Sequence, residues 1–152
     1  MPNNFFDTSA LGKHYHAELG TPNVEALLAD ATSRHFISRL GAVEVLSAFA
    51  GKVRSLTITV SDFETLRKRF LTELTNRVIQ AVRVNGFHFQ EAQRLIRKYG
   101  PTQRLRTLDA LQLAIALDLH GKGRIDQFIG ADGALLAVAA QEGLTVINPE
   151  KP

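Results

Sequence analysis

Asp7, Glu44, Asp109 and Asp132 each stand inside or at the end of an apolar stretch, where a short strand should end or a helix should begin. An ionised carboxylate among buried neighbours is costly unless it is paired, hydrogen-bonded or bound to a cation. Four such positions in one small protein share a simple explanation, a common divalent metal. Hard cations such as Mg²⁺ or Mn²⁺ prefer oxygen ligands and keep several waters, which suits a partly open carboxylate pocket whose bound water is the nucleophile. Taken singly, three of the acids have a plainer reading. Asp7 and Asp132 suit helix N-caps, and Asp109 suits the first turn of a helix, where the macrodipole favours negative charge. Glu44 resists it, because Ala42, Val43, Val45 and Leu46 surround it and an exposed site there would interrupt an apolar helix.

Other chemistries lack their residues. There is no cysteine among the 152 residues, so disulfides, thiolate metal sites and cysteine nucleophiles are excluded. Of the five histidines (His14, His16, His35, His88 and His120), only His14 and His16 are close in sequence. They are two apart, whereas helix faces repeat at three or four, so no zinc pattern forms. Ser9 has no recognisable nucleophile elbow, and Gly121, Gly123 and Gly130 do not make a phosphate-binding loop. The start lacks the pattern of a secretory signal and no apolar run reaches membrane-spanning length, so the expected location is cytoplasmic. The formal charge is a modest +3, but the cations cluster: Arg67, Lys68, Arg69 and Arg77, then Arg94, Arg97, Lys98, Arg104 and Arg106. Such patches can contact phosphates; alternatively they are solvated helix faces paired with Glu64, Glu73 and Glu91.

The elements that would position the acids are readable from periodicity and punctuation. Asn3 to Asp7 reads as a strand leading into a helix capped by Asp7, Thr8 and Ser9. Thr21 then caps a helix with Pro22 at its first position, running to about Ala31. His35 to Ile37 is a second strand, and Ser38 caps a helix from Arg39 to about Gly51 that carries Glu44. Ser61 and Glu64 suggest a capping box for a helix from Asp62 to Asn76. Leu40 to Asn76 thus reads as an αα-hairpin, with Val53 to Val60 as a competing strand. Val78 to Val84 is a third strand. Phe89 to Tyr99 is a helix stopped by Gly100 and Pro101, and Thr107 caps the next, which Gly121 and Gly123 end. Phe128 to Ala131, Ala134 to Glu142 and Thr145 to Ile147 complete the chain as strand, helix and strand. Alternation of this kind predicts one α/β domain over residues 1–152, a three-layer α/β/α sandwich on a mostly parallel five-stranded sheet. The carboxyl ends of its strands gather at one edge, and Asp7 and Asp132 fall there.

The segments Phe5-Phe6-Asp7-Thr8-Ser9-Ala10-Leu11, Ile37-Ser38-Arg39-Leu40 with Glu44 and Val45, Leu105 to Ala114 around Asp109, and Phe128-Ile129-Gly130-Ala131-Asp132 come in a telling order. Together with Val146 to Pro149, they resemble the PIN-domain ribonucleases, particularly the VapC-like toxins of type II toxin–antitoxin systems, over nearly the whole chain. The resemblance implies strand order 3-2-1-4-5 and a Mg²⁺- or Mn²⁺-dependent endoribonuclease site. Its catalytic and metal-binding acids would be Asp7, Glu44, Asp109 and Asp132, with Ser9 as a hydrogen-bonding partner behind them. It also implies an antitoxin covering the site, and a homodimer. Many relatives carry Thr or Ser two residues before the last acid, where this chain has Gly130, so a hydroxyl that would orient a carboxylate or water is missing.

The expected function is therefore hydrolysis of RNA phosphodiesters, with the acids holding metal and arginines positioning the backbone. The competing expectation is a non-catalytic binding module whose acidic pocket takes a cation or a partner's arginine. An aspartate-nucleophile phosphatase built on Asp7 is disfavoured, because Ser9 occupies the place where a second acid belongs.

Overall fold

In the computed structural model, residues 2–151 are described. The elements run β1 (Asn4–Phe6), α1 (Thr8–Tyr15), α2 (Thr21–Ala29), β2 (His35–Ser38), α3 (Arg39–Arg54), α4 (Val60–Thr75), β3 (Gln80–Val82), α5 (Gly86–Tyr99), α6 (Thr107–Gly121), β4 (Gln127–Ile129), α7 (Gly133–Gln141) and β5 (Thr145–Ile147). The five strands pair in the order β3-β2-β1-β4-β5, all parallel. Expected and observed order agree.

Adjacent residues of the central strand serve opposite faces, as a pleated strand requires. Phe5 registers between Phe36 and Phe128 and packs with Leu95, Leu113 and Leu135, the core under α5, α6 and α7. Its ring stacks on Phe128 at 5.7 Å between centroids. Phe6 instead joins Ile37, Ile129, Leu11, Val24, Phe49 and Phe70, the core under the first four helices. With a helical layer on each face, the central strands β1, β2 and β4 are buried almost throughout, which is why they read as short apolar runs, while the edge strands β3 and β5 are half-exposed.

Several boundaries differ from the sequence reading, each for a local reason. Gly20 rather than Thr21 caps α2: it adopts φ 90°, and a Cβ there would sit 3.0 Å from the Pro149 carbonyl group. The Thr21 hydroxyl instead accepts from the Glu18 amide and donates to the Lys13 carbonyl. The capping box of α4 is Thr59 with Asp62, two residues before the expected pair Ser61 with Glu64. Val53 to Val60 is no strand, because α3 continues to Arg54 and the chain turns at Leu56, φ 61°, before α4. Asn85 and His88 cap each other's backbone amides and start α5 at Gly86. Thr107 is the first residue of α6, whose N-cap, Arg106, makes no side-chain cap bond.

Candidate metal centre at the carboxyl edge of the sheet

The parallel sheet delivers β1, β2 and β4 to one edge, where α1, α3 and α7 begin. Asp7 follows β1 and caps α1, its Oδ2 accepting from the Ser9 amide at 3.2 Å and the Ser9 hydroxyl at 2.6 Å. Asp132 follows β4 and caps α7, its Oδ1 accepting from the amides of Ala134 and Leu135. Because β1 pairs directly with β4, these two acids emerge side by side. The N-cap reading of both residues is thus correct, and it is compatible with a second role: among the described hydrogen bonds, each carboxylate uses only one oxygen for its cap.

Glu44 enters from α3 and Asp109 from the first turn of α6. The four acids feel one another. Burial, followed by the charges of Asp7 and Asp109, pushes Glu44 up to about 7, against the pull of Thr8 and Gln112. Burial also raises Asp109, helped by the charges of Asp7 and Asp132 and opposed by the backbone and charge of Arg106. Burial raises Asp7, with Asp132 adding to it and hydrogen bonds from Ser9 and Thr8 opposing it. Carboxylates raised by burial and by one another's charge are a chemical fit for a hard divalent cation, which offsets both and takes oxygen ligands. Among the described residues, no three such groups are drawn close enough to enclose an ion; the acids are near enough to act on one another's charge at this edge of the sheet, the crevice of the site.

Two hydroxyl and amide groups shape this crevice. Ser9 Oγ donates to Asp7 and accepts from the Ala131 amide at 3.0 Å, tying the end of β1 to the loop that carries Asp132. A Cβ at Gly130 would lie 3.6 Å from that of Asp7 and 3.3 Å from Leu136 Cδ2, so a hydroxyl residue there would stand next to Asp7. Ser9 therefore supplies to Asp7 the kind of contact that Gly130 lacks. Gln112, which the sequence reading passed over, is 1% exposed and donates from Nε2 to Glu44 Oε1. Its signal was available: it lies three residues after Asp109, on the same helical face, and is a polar side chain among Leu111, Leu113 and Ala114.

Much of the basic surface is neutralised. Arg67 pairs with Glu64, Arg69 with Glu73, Arg94 with Glu91 and Glu142, and Lys98 with Glu142. Arg106 is different, being exposed and close enough to Asp109 to oppose part of the rise in its pKa. The histidines form no common site. His14 links Glu25 to Glu73, while His88 donates to Asp118 at 2.8 Å. Two cavities of about 340 and 360 Å³, beneath α2 and between α5 and α6, are lined by none of the four acids. Among the described residues, no helix is long and apolar enough to cross a membrane.

A family model described as the PIN domain matches residues 5–123, spanning Asp7, Glu44 and Asp109. Solved structures extend the likeness to the rest of the chain. A toxin–antitoxin complex from Klebsiella pneumoniae aligns with a TM-score of 0.65 and 19% identity over 97% of this chain and 98% of its own. FitAcB from Neisseria gonorrhoeae gives 0.68 and 16% over 98% and 99%. The VapC20 toxin of Mycobacterium tuberculosis, described as cleaving the sarcin–ricin loop, gives 0.63 and 16% over 89% and 94%. At such identities the likeness is one of fold, and no curated protein matches the sequence. Sheet order, the coverage of the family model and the agreement of these folds lead to one assignment: the chain belongs to the PIN-domain family.

Proposed function

We propose that this PIN-domain protein is a Mg²⁺- or Mn²⁺-dependent endoribonuclease, the toxin of a type II toxin–antitoxin pair. The observation that carries the reading is the placement of Asp7 and Asp132 after the paired strands β1 and β4, with Glu44 and Asp109 near enough for the acids to act on one another's charge; burial and its acidic neighbours raise Glu44 to about 7. These four side chains would hold the cation. When bound, it supplies Lewis acidity toward water and the scissile phosphate. The chain's own groups then have distinct tasks. Ser9 fixes the rotamer of Asp7 and its distance from the Asp132 loop. The N-termini of α1 and α7 favour negative charge on Asp7 and Asp132. Arg106, exposed beside Asp109, is placed to hold an RNA phosphate near the acids. Likeness to a toxin–antitoxin complex supports an antitoxin partner; a homodimeric toxin acting on cytoplasmic RNA is what the family resemblance implies.

The test is cleavage of a mixed structured RNA pool by purified protein with Mg²⁺, Mn²⁺ or EDTA, alongside Asp7→Asn and Asp109→Asn. Metal-dependent cutting that both variants lose is the expected result. No cutting with either metal, by a folded protein free of any partner, would replace the nuclease with a binding module.

A further inference from the structure

We infer that the side-chain amide of Gln112 is the positioning group that fixes the Glu44 carboxylate in the crevice, an inference that deepens the nuclease reading and rests on it for its catalytic purpose. Gln112 lies on α6 with Ala110, Leu111, Leu113 and Ala114, all buried. Packing alone would accept a leucine of similar volume there, with no polar atom to satisfy. The amide instead points Nε2 at Glu44 Oε1, while its own Oε1 is buried without a hydrogen-bond partner. A buried amide left half satisfied is unfavourable, so the contact with Glu44 is what justifies it.

The backbone of α3 comes close to the same amide. A Cβ at Gly41 would come within 3.3 Å of Ser38 Oγ, 3.5 Å of Gln112 Oε1 and 3.6 Å of Thr8 Oγ1. Only the Ser38 contact would be tight, and the other two are ordinary contacts, so Gly41 marks where α3 and Thr8 come close to the Gln112 amide on α6. Glu44 is three residues after Gly41, and Gln112 three after Asp109, so one face of each helix carries both the close approach and the polar pair. Thr8 Oγ1 is likewise buried without a well-formed hydrogen bond, although it lies near enough to Glu44 to influence it. Glu44 has no helix N-terminus of its own to orient it, unlike Asp7 and Asp132. Gln112 performs that task from the neighbouring helix.

The experiment reads the contact and its consequence separately. In ¹⁵N spectra, the Gln112 side-chain amide should exchange at least about tenfold more slowly than those of exposed Gln90 and Gln93, and Glu44→Ala should abolish that protection. Gln112→Leu should remain folded yet lose about 10- to 100-fold in Mn²⁺ affinity measured by calorimetry. Its kcat on RNA should fall while KM is unchanged. An amide that exchanges like Gln93, protection that survives Glu44→Ala, or a folded Gln112→Leu with wild-type Mn²⁺ affinity would overturn the inference. If Gln112→Leu does not fold, the exchange measurement on wild type and Glu44→Ala still decides. Wild-type protein that binds no Mn²⁺ and cuts no RNA defeats the nuclease reading alone, because amide exchange still reports whether Gln112 holds Glu44.

Discussion

Glu44→Gln should make the metal-free protein more stable at alkaline pH and useless as a nuclease. The folded protein holds the Glu44 proton more tightly than the unfolded chain does, since burial and the charges of Asp7 and Asp109 raise it from 4.5 to about 7. The sign follows from linkage: the associated stability is present below the unfolded value of 4.5 and is lost as pH rises through about 7. For a fully shielded group the loss would be roughly 3 kcal/mol. Glu44 is partly exposed, and screening reduces this to about 1 kcal/mol. Glutamine keeps an acceptor for the Gln112 amide but never ionises. In EDTA at pH 8 the variant should therefore melt ~2–4 °C above wild type, and at pH 5 the two should nearly coincide. Adding Mn²⁺ at about 100 times its Kd should stabilise wild type by about 2.7 kcal/mol and the variant far less. A Glu44→Gln protein that melts lower at pH 8, or gains equally at both pH values, would refute the electrostatic argument.

Ser9→Ala removes the hydroxyl between Asp7 and the Ala131 amide and should cost about 1–3 kcal/mol in urea unfolding, because Ala131 N–H loses its acceptor. His14 joins α1 to Glu25 of α2 and Glu73 of α4; burial lowers its pKa, but those two carboxylates overcome the effect and raise it. Its contribution is present below the ordinary 6.5 and lost as pH rises through the raised value, so denaturation midpoints at pH 6 and pH 9 should differ more in wild type than in His14→Gln. Burial works to raise Glu142, but hydrogen bonds from Arg94, Tyr99 and Lys98 prevail and depress it to about 2. Stability from Glu142 is present above 4.5 and lost as pH falls through about 2, so Glu142→Gln should flatten that part of an acid-unfolding curve followed by circular dichroism.

The architecture was readable because its signals are local. Strand-sized apolar runs alternate with helical spacing, and that alone demands parallel crossovers; the strand order came only with the family resemblance. Ser38 was recognisable as the cap of α3, and its hydroxyl accepts from the Gly41 amide at 2.8 Å. The misread helix starts fail for a different reason. Gly20 outcompetes Thr21 because of its close approach to Pro149, a residue more than a hundred positions away, and no window around Thr21 contains that fact. Thr59 and Ser61 offer two overlapping capping patterns, and it is Thr59 that exchanges hydrogen bonds with Asp62. Gln112 was overlooked because its partner is on another helix. The rule that singled out Glu44, a polar residue in an apolar helix, applies to it equally.

The crevice also accounts for why the acids are dispersed along the chain. Four carboxylates on one helix or loop would repel one another in every conformation, including those visited during folding. Distributed over α1, α3, α6 and α7, they meet only when the sheet is complete, with β1 placed between β2 and β4. Each then receives its own compensation: Asp7 and Asp132 the amides of helix N-termini, Asp109 the neighbouring Arg106, and Glu44 the Gln112 amide. The compensation is incomplete, as the raised state of Asp7, Glu44 and Asp109 shows. A residual deficit of positive charge at the mouth of a folded sheet is a driving force for cation binding that the unfolded chain lacks. Divalent metal should for that reason raise the melting temperature of wild type, and neutralising any one acid should diminish that rise.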